Sequence, residues 1–104
     1  MRAILIDPFA KTVSEIDINK DDVLSGLYSA MQCDTVDVVR YMDVDIWVDD
    51  EGLMKENQKF FHMVAGHQPL AGRAVIMESN DAGESIATGM ELDVIEFLTM
   101  FEPE

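Results

Sequence analysis

Asp43, Asp45, Asp49, Asp50 and Glu51 place five carboxylates within nine residues. Such a density could hold a hard cation, supply acid–base chemistry or present a continuous negative edge. The cation reading fails on spacing. A calcium loop of the EF-hand kind needs acids at alternating positions, glycine at the sixth and glutamate at the twelfth. Counted from Asp43 the fifth position is Trp47, the sixth Val48 and the twelfth Met54, and counted from Asp45 the third is already Trp47. On a strand, Asp43 and Asp45 share one face while Val44 and Ile46 share the other, the pattern of a solvated edge.

The remaining chemistry-bearing residues are sparse. His62 and His67 form an H-x4-H pair with no cysteine beside them and no glutamate after His62, so they depart from the helical HExxH zinc pattern. Cys33 follows a helical stretch and is expected to pack its end rather than act as a nucleophile. Neither a GxSxG elbow nor a GxxxxGK[ST] or GxGxxG phosphate loop occurs. With twenty-one acids in the chain, any pair of carboxylates is explained by coincidence. The expectation is a protein that is not an enzyme, with no catalytic residues, no metal and no cofactor.

Charge narrows the partners. Twenty-one Asp and Glu oppose seven Lys and Arg, a formal net charge of -14, and the last thirty-one residues carry no Lys or Arg. A small domain stays soluble with a magnitude of about 2 to 8. The excess repels nucleic acid and anionic membrane and attracts basic proteins and cations. Lys and Arg needed to displace counterions from phosphates are dispersed, which argues against direct nucleic-acid binding. Halophilic adaptation is the competing account of the charge. Asp34, Asp37, Asp43, Asp45, Asp49, Asp50 and Glu51 make one stripe that could imitate phosphates, and Glu78, Asp81, Glu84, Glu91, Asp93 and Glu96 make another.

These residues must be positioned by regular elements. The 104 residues suit a single domain spanning 1–104, and 48% apolar content supplies a core, so disorder is not expected. Arg2 to Asp7, ended by Pro8, reads as a strand, and Val13, Ile16 and Ile18 as a second one reached through a Pro8–Lys11 hairpin loop. Asn19 to Asp22 can cap a helix whose stripe is Leu24, Leu27, Tyr28 and Met31, with Gly26 inside it at a cost of about 1 kcal/mol. Strands follow near 35–42 and 44–49 around a Met42–Asp43 turn, with one longer bent strand as the alternative. Asp49–Gly52 is a turn in which Gly52 supplies positive φ. Residues 53–59 are weakly helical or irregular, Phe60–Val64 a further strand with its two phenylalanines on opposite faces, and Gly66–Gly72 a loop. Arg73–Glu78 is a strand and Asn80–Gly83 a turn. From Met90, Val94, Phe97, Leu98 and Phe101 recur at helical spacing, so a terminal helix is preferred to a strand there. Phe97 and Phe101 either pack on the sheet or join two copies as a homodimer. The element order predicts an α+β fold: a small, mainly antiparallel sheet of five to six strands with one or two helices packed on one face.

The segments Ala3-Ile4-Leu5-Ile6-Asp7-Pro8, Asp34-Thr35-Val36-Asp37-Val38-Val39-Arg40, Val48-Asp49-Asp50-Glu51-Gly52-Leu53, Gln68-Pro69-Leu70-Ala71-Gly72-Arg73-Ala74-Val75-Ile76 and Asn80-Asp81-Ala82-Gly83-Glu84 come in an order that resembles a family of small uncharacterised proteins carried by bacteriophages and conjugative plasmids, a domain of unknown function. The resemblance covers residues 3–86 and implies a mobile-element context, with action on host or defence machinery. It carries over no catalytic residue.

Together these features lead us to expect a non-enzymatic acidic protein that contacts a host or defence protein with a basic surface, through Asp43, Asp45, Asp49, Asp50 and Glu51. Nucleic-acid mimicry is one form of such contact. The alternative is sequestration of a small ligand such as a nucleotide signal, gripped by Arg2, Arg40 and Arg73, which are the chain's three arginines. One Cys, no apolar run long enough to span a membrane and an N-terminal run too short for a secretory signal point to the cytoplasm, that of the host cell if phage-encoded.

Overall fold

In the computed structural model, which describes residues 1–66 and 68–103, nine strands and two α-helices follow one another along the chain. The strands are β1 (Arg2–Asp7), β2 (Thr12–Asp17), β3 (Asp37–Tyr41), β4 (Val44–Val48), β5 (Phe60–Met63), β6 (Leu70–Ala71), β7 (Ala74–Ser79), β8 (Ser85–Ile86) and β9 (Thr99–Phe101). The helices are α1 (Val23–Met31) and α2 (Leu92–Leu98), and a 3-10 turn covers Gly52–Met54. The main sheet has the order β2-β1-β7-β4-β3, with β8 paired to β7, and a smaller sheet has the order β6-β5-β9. Every pairing is antiparallel. This is the expected α+β class.

Alternation along the central strands explains the layering. In β1 and β7, Ala3, Val75 and Met77 point to one side, and Ile4, Ile6, Ala74 and Ile76 to the other. The first set packs against Leu27 and Met31 of α1, the second against Ile95 of α2 and Phe61 and Met63 of β5. Both faces of these strands are therefore buried, which is why they read as continuous apolar runs. The two helices do not share one face, the arrangement expected from the sequence, but divide between the two: α1 covers one, and α2 with the small sheet covers the other.

Local rules account for the helices. The Asp22 carboxylate accepts a 3.3 Å hydrogen bond from the Ser25 N–H at the start of α1, the capping role anticipated for this stretch. Its core-facing row is half-buried Val23 with buried Leu27 and Met31, rather than one through Leu24, which is 50% exposed. The i, i+4, i+8 row faces the sheet and turns Leu24 outward. Gly26 permits the close approach: a Cβ there would lie 3.1 Å from Ile18 Cγ2. The C-terminal stretch is helix and strand in turn. Ile95 and Thr99 are its buried residues, Phe101 packs at the edge of the core, and Phe97 points outward at 82% exposure. Of the phenylalanine pair, Phe61 is buried and Phe60 half-buried.

Two further sequence expectations need correction. Gly52 does not adopt positive φ; Gly72 and Gly83 are the glycines that do. Gly52 is required instead by packing, since a Cβ would meet the Ala71 carbonyl oxygen at 3.0 Å. Likewise β4 is not a solvated edge. It lies between β7 and β3, so its Val44, Ile46 and Val48 enter the core and Asp45 is buried as well.

Candidate functional site

β3 and β4 form a hairpin with the register Tyr41↔Val44, Val39↔Ile46 and Asp37↔Val48. The two connecting residues are Met42 and Asp43, and Met42 takes a φ of 54°, a position usually given to glycine. Asp37, Val39 and Tyr41 share one face of β3, the face turned toward the small sheet. Opposite them runs the connection from β5 to β6. The Tyr41 hydroxyl donates a 2.6 Å hydrogen bond to the Val64 carbonyl and ties the two walls together.

Between these walls is a recess of about 510 Å³. Val39, Tyr41, Ile46, Met63, Leu70 and Leu98 give it an apolar lining, and Arg40, Met42, Val64 and Gln68 complete it. Its volume falls in the range of about 300–1,000 Å³ typical of ligand sites. A second recess of about 150 Å³ shares Val39, Gln68 and Leu70 with the first and adds Asp37, Asp49 and Asp50 to the wall. The two form one groove along the length of β3, apolar at the Tyr41 end and acidic at the Asp37 end. Leu53, strongly exposed, borders the acidic end.

The five expected acidic-face residues part company here. Asp45 pairs across the hairpin with Arg40, Oδ1 to Nη1 at 3.0 Å. Asp49 is also engaged internally: its Oδ1 accepts from the Thr35 hydroxyl at 3.1 Å and the Glu51 N–H at 3.0 Å, and its Oδ2 pairs with Lys55. Burial pushes the Asp49 carboxyl up, but Lys55, the Glu51 N–H and the Thr35 hydroxyl together outweigh it and hold the group below its usual range. The hydrogen bond to Asp49 raises Lys55 in turn. Asp43, Asp50 and Glu51 remain exposed, and Asp37, from the same stripe, joins them. Cys33 lies nearby as a free thiol, pushed up by burial and by the Asp49 charge, so at neutral pH it is protonated.

The three arginines are not brought together. Arg2 pairs with Glu15 at 3.2 Å and donates to the Thr88 and Met90 carbonyls. Arg73 pairs with Asp7 at 3.3 Å and stacks over the Phe9 ring. Arg2 and Asp7 are opposite ends of β1, so these two sites lie roughly 17 Å apart at the strand rise of about 3.3 Å. Arg40 alone of the three borders the large recess. His62 Nε2 lies 3.3 Å from the Gly66 carbonyl oxygen, and its sequence companion His67 is outside the described residues. Among the described residues no three His, Cys, Asp or Glu side chains gather as metal ligands, and no helix is long and apolar enough to cross a membrane.

Sequence reasoning missed the groove's apolar walls. Val39, Tyr41, Val64 and Leu70 come from separate segments, and nothing in their spacing announces a shared cavity. One signal was readable: a turn at Met42–Asp43 sets Arg40 opposite Asp45 and so predicts their pairing.

The sequence matches the family described as Domain of unknown function (DUF3846) over residues 1–102, and the chain belongs to that family. No curated protein and no solved structure matches it.

Proposed function

We propose that this member of the family is a non-enzymatic binding protein that acts by contact with a basic protein. The observation that carries the proposal is the way charge is engaged. Arg2, Arg40, Arg73, Lys55 and the N-terminal ammonium each pair with a carboxylate of the chain itself. The surplus acids are left to set the outward field: Asp37 and Asp50 line the groove, and exposed Asp43 and Glu51 adjoin its lining residues Met42 and Asp50 in sequence. A basic surface is drawn in by the long-range field, and apolar contact then sets which surface stays.

The resemblance to proteins of bacteriophages and conjugative plasmids supports placing the partner among host or defence proteins, met in the host cytoplasm. Mimicry of nucleic acid has less support than direct protein contact. Asp45 and Asp49 both sit in the middle of the stripe that would imitate phosphates, and both are bound internally. Sequestration of a nucleotide also has less support, because a phosphate clamp needs convergent arginines and Arg2, Arg40 and Arg73 are dispersed.

Capture from a bacterial lysate on the immobilised full chain, at low and at moderate salt, tests the proposal. A basic protein retained at low salt and weakened at moderate salt is the expected result. Recovery of no basic protein at either salt overturns it.

A further inference from the structure

β3 ends the main sheet, and among the described residues no strand pairs with its outer side. The two-residue connection fixes which backbone groups that side presents. Tyr41 and Val44 close the hairpin as a hydrogen-bonded pair, so by alternation Val39 and Asp37 also bond inward to β4. The N–H and C=O groups of Val38 and Arg40 therefore point away from the sheet. The Val38 N–H donates to the Asp37 carboxylate at 2.8 Å, a bond within the chain that the carbonyl of an added strand would replace. An open strand edge of this kind is a template for another strand.

The groove lies beside that edge, on the side of Asp37, Val39 and Tyr41. A strand laid along β3 projects every second side chain into it. Same-face positions are spaced by about 6.6–6.8 Å, so the Tyr41 and Asp37 ends are roughly 13 Å apart. At the first end the groove offers a mostly apolar chamber of about 510 Å³. At the second it offers Asp37 and Asp50, which have no ion-pair partner among the described residues, while Asp49 is already held by Lys55. Arg40, the cation at the chamber, is neutralised by Asp45.

We infer that the occupant is an extended segment of a basic protein, added as a strand to β3, with a large aliphatic or aromatic side chain in the chamber and a Lys or Arg two or four positions away against Asp37 and Asp50. This rests on the reading of the chain as a binder of basic proteins and adds the place and the motif. Backbone pairing supplies affinity without sequence preference, and the two unlike ends of the groove supply the sequence preference. A neutral apolar segment would leave the carboxylates unanswered, and a purely basic one would leave the chamber empty.

The test uses the full chain against a displayed library of random decapeptides, followed by titration of the enriched peptide. The expected motif has a basic residue two or four places from a Leu, Ile, Met or Phe. Asp50→Lys and Asp37→Lys should each weaken the peptide by about tenfold, and replacing the peptide's basic residue with Glu should restore binding to those variants. N-methylation at alternate peptide bonds should abolish binding in one register and spare it in the other, a readout independent of how any variant folds. A library without enriched peptides, a motif lacking the basic residue, or indifference to both charge reversal and N-methylation overturns the inference. Equal capture of a lysate protein by wild type and by the Asp37→Lys/Asp50→Lys double variant also overturns it, while leaving the broader reading intact. Absence of any captured basic protein on the wild-type chain would instead sink the broader reading.

Discussion

The hydroxyl of Tyr41 reaches across the groove to the backbone carbonyl of Val64, 2.6 Å away, and joins the edge of one sheet to the loop leaving the other. Removing that hydroxyl keeps the ring and its apolar packing. Tyr41→Phe is expected to lower stability by about 0.5–1.5 kcal/mol in urea titration. It should also speed amide hydrogen exchange at Val64 to Gly66, while amides in β1 and β7 remain protected.

Asp49 bonds to residues on both sides of the hairpin, Thr35 before β3 and Glu51 and Lys55 after β4. Its folded-state pKa lies below its unfolded value, so the stability it contributes is present above about pH 4 and is lost as pH falls toward the folded value. Asp49→Asn cannot titrate. It is expected to cost about 1–2 kcal/mol at neutral pH. The gap from wild type should narrow below about pH 4 when both are melted across an acid series. A constant gap would mean the charge on Asp49 is not what stabilises the loop.

Met42 occupies the left-handed region at φ 54° with its side chain largely in solvent. An L-residue there is strained by about 1–2 kcal/mol, part of which glycine's greater freedom in the unfolded chain takes back. Met42→Gly should therefore raise stability by roughly 0.5–1 kcal/mol in chemical denaturation. No gain, or a loss, would show that the Met42 side chain contributes packing that outweighs its backbone strain.

Phe97 is exposed on the outer face of α2, with Val94 one turn earlier on the same side. Because it touches little of its own chain, Phe97→Ser should change monomer stability by no more than about 0.5 kcal/mol. If Phe97 joins two copies, the alternative to its packing on the sheet, sedimentation velocity of the wild type shows a concentration-dependent dimer that the variant lacks. Identical sedimentation of the two would remove Phe97 from any self-contact.

The strand pairings legible in the sequence were those made by local turns. Pro8 to Lys11 and Met42–Asp43 each sit between apolar runs, so β1 with β2 and β3 with β4 followed from neighbouring residues alone. The position of β7 between β1 and β4 did not, because it depends on pairs such as Ile4 with Ile76 that no local pattern connects. β6 and β8 are two residues long and β9 three, too short to carry a period of two. The acidic cluster was legible as composition but not as a site. Which of its members face solvent depends on whether a cation or hydroxyl arrives from elsewhere in the fold: Arg40 reaches Asp45, and Thr35 and Lys55 reach Asp49. Gly26 reads as a helix-weakening residue, and its reason, the approach of Ile18, appears only when α1 meets the sheet.

The place of β7 has a consequence for how the chain is made. The two early hairpins have no lateral contact with each other until residues 74–79 slide between them. During synthesis, β7 must leave the ribosome after both hairpins before the middle of the sheet can close. Such distant pairing predicts slow, all-or-none folding. Nascent chains stalled before Ala74 should stay sensitive to protease, and those released past Ser79 should abruptly resist it.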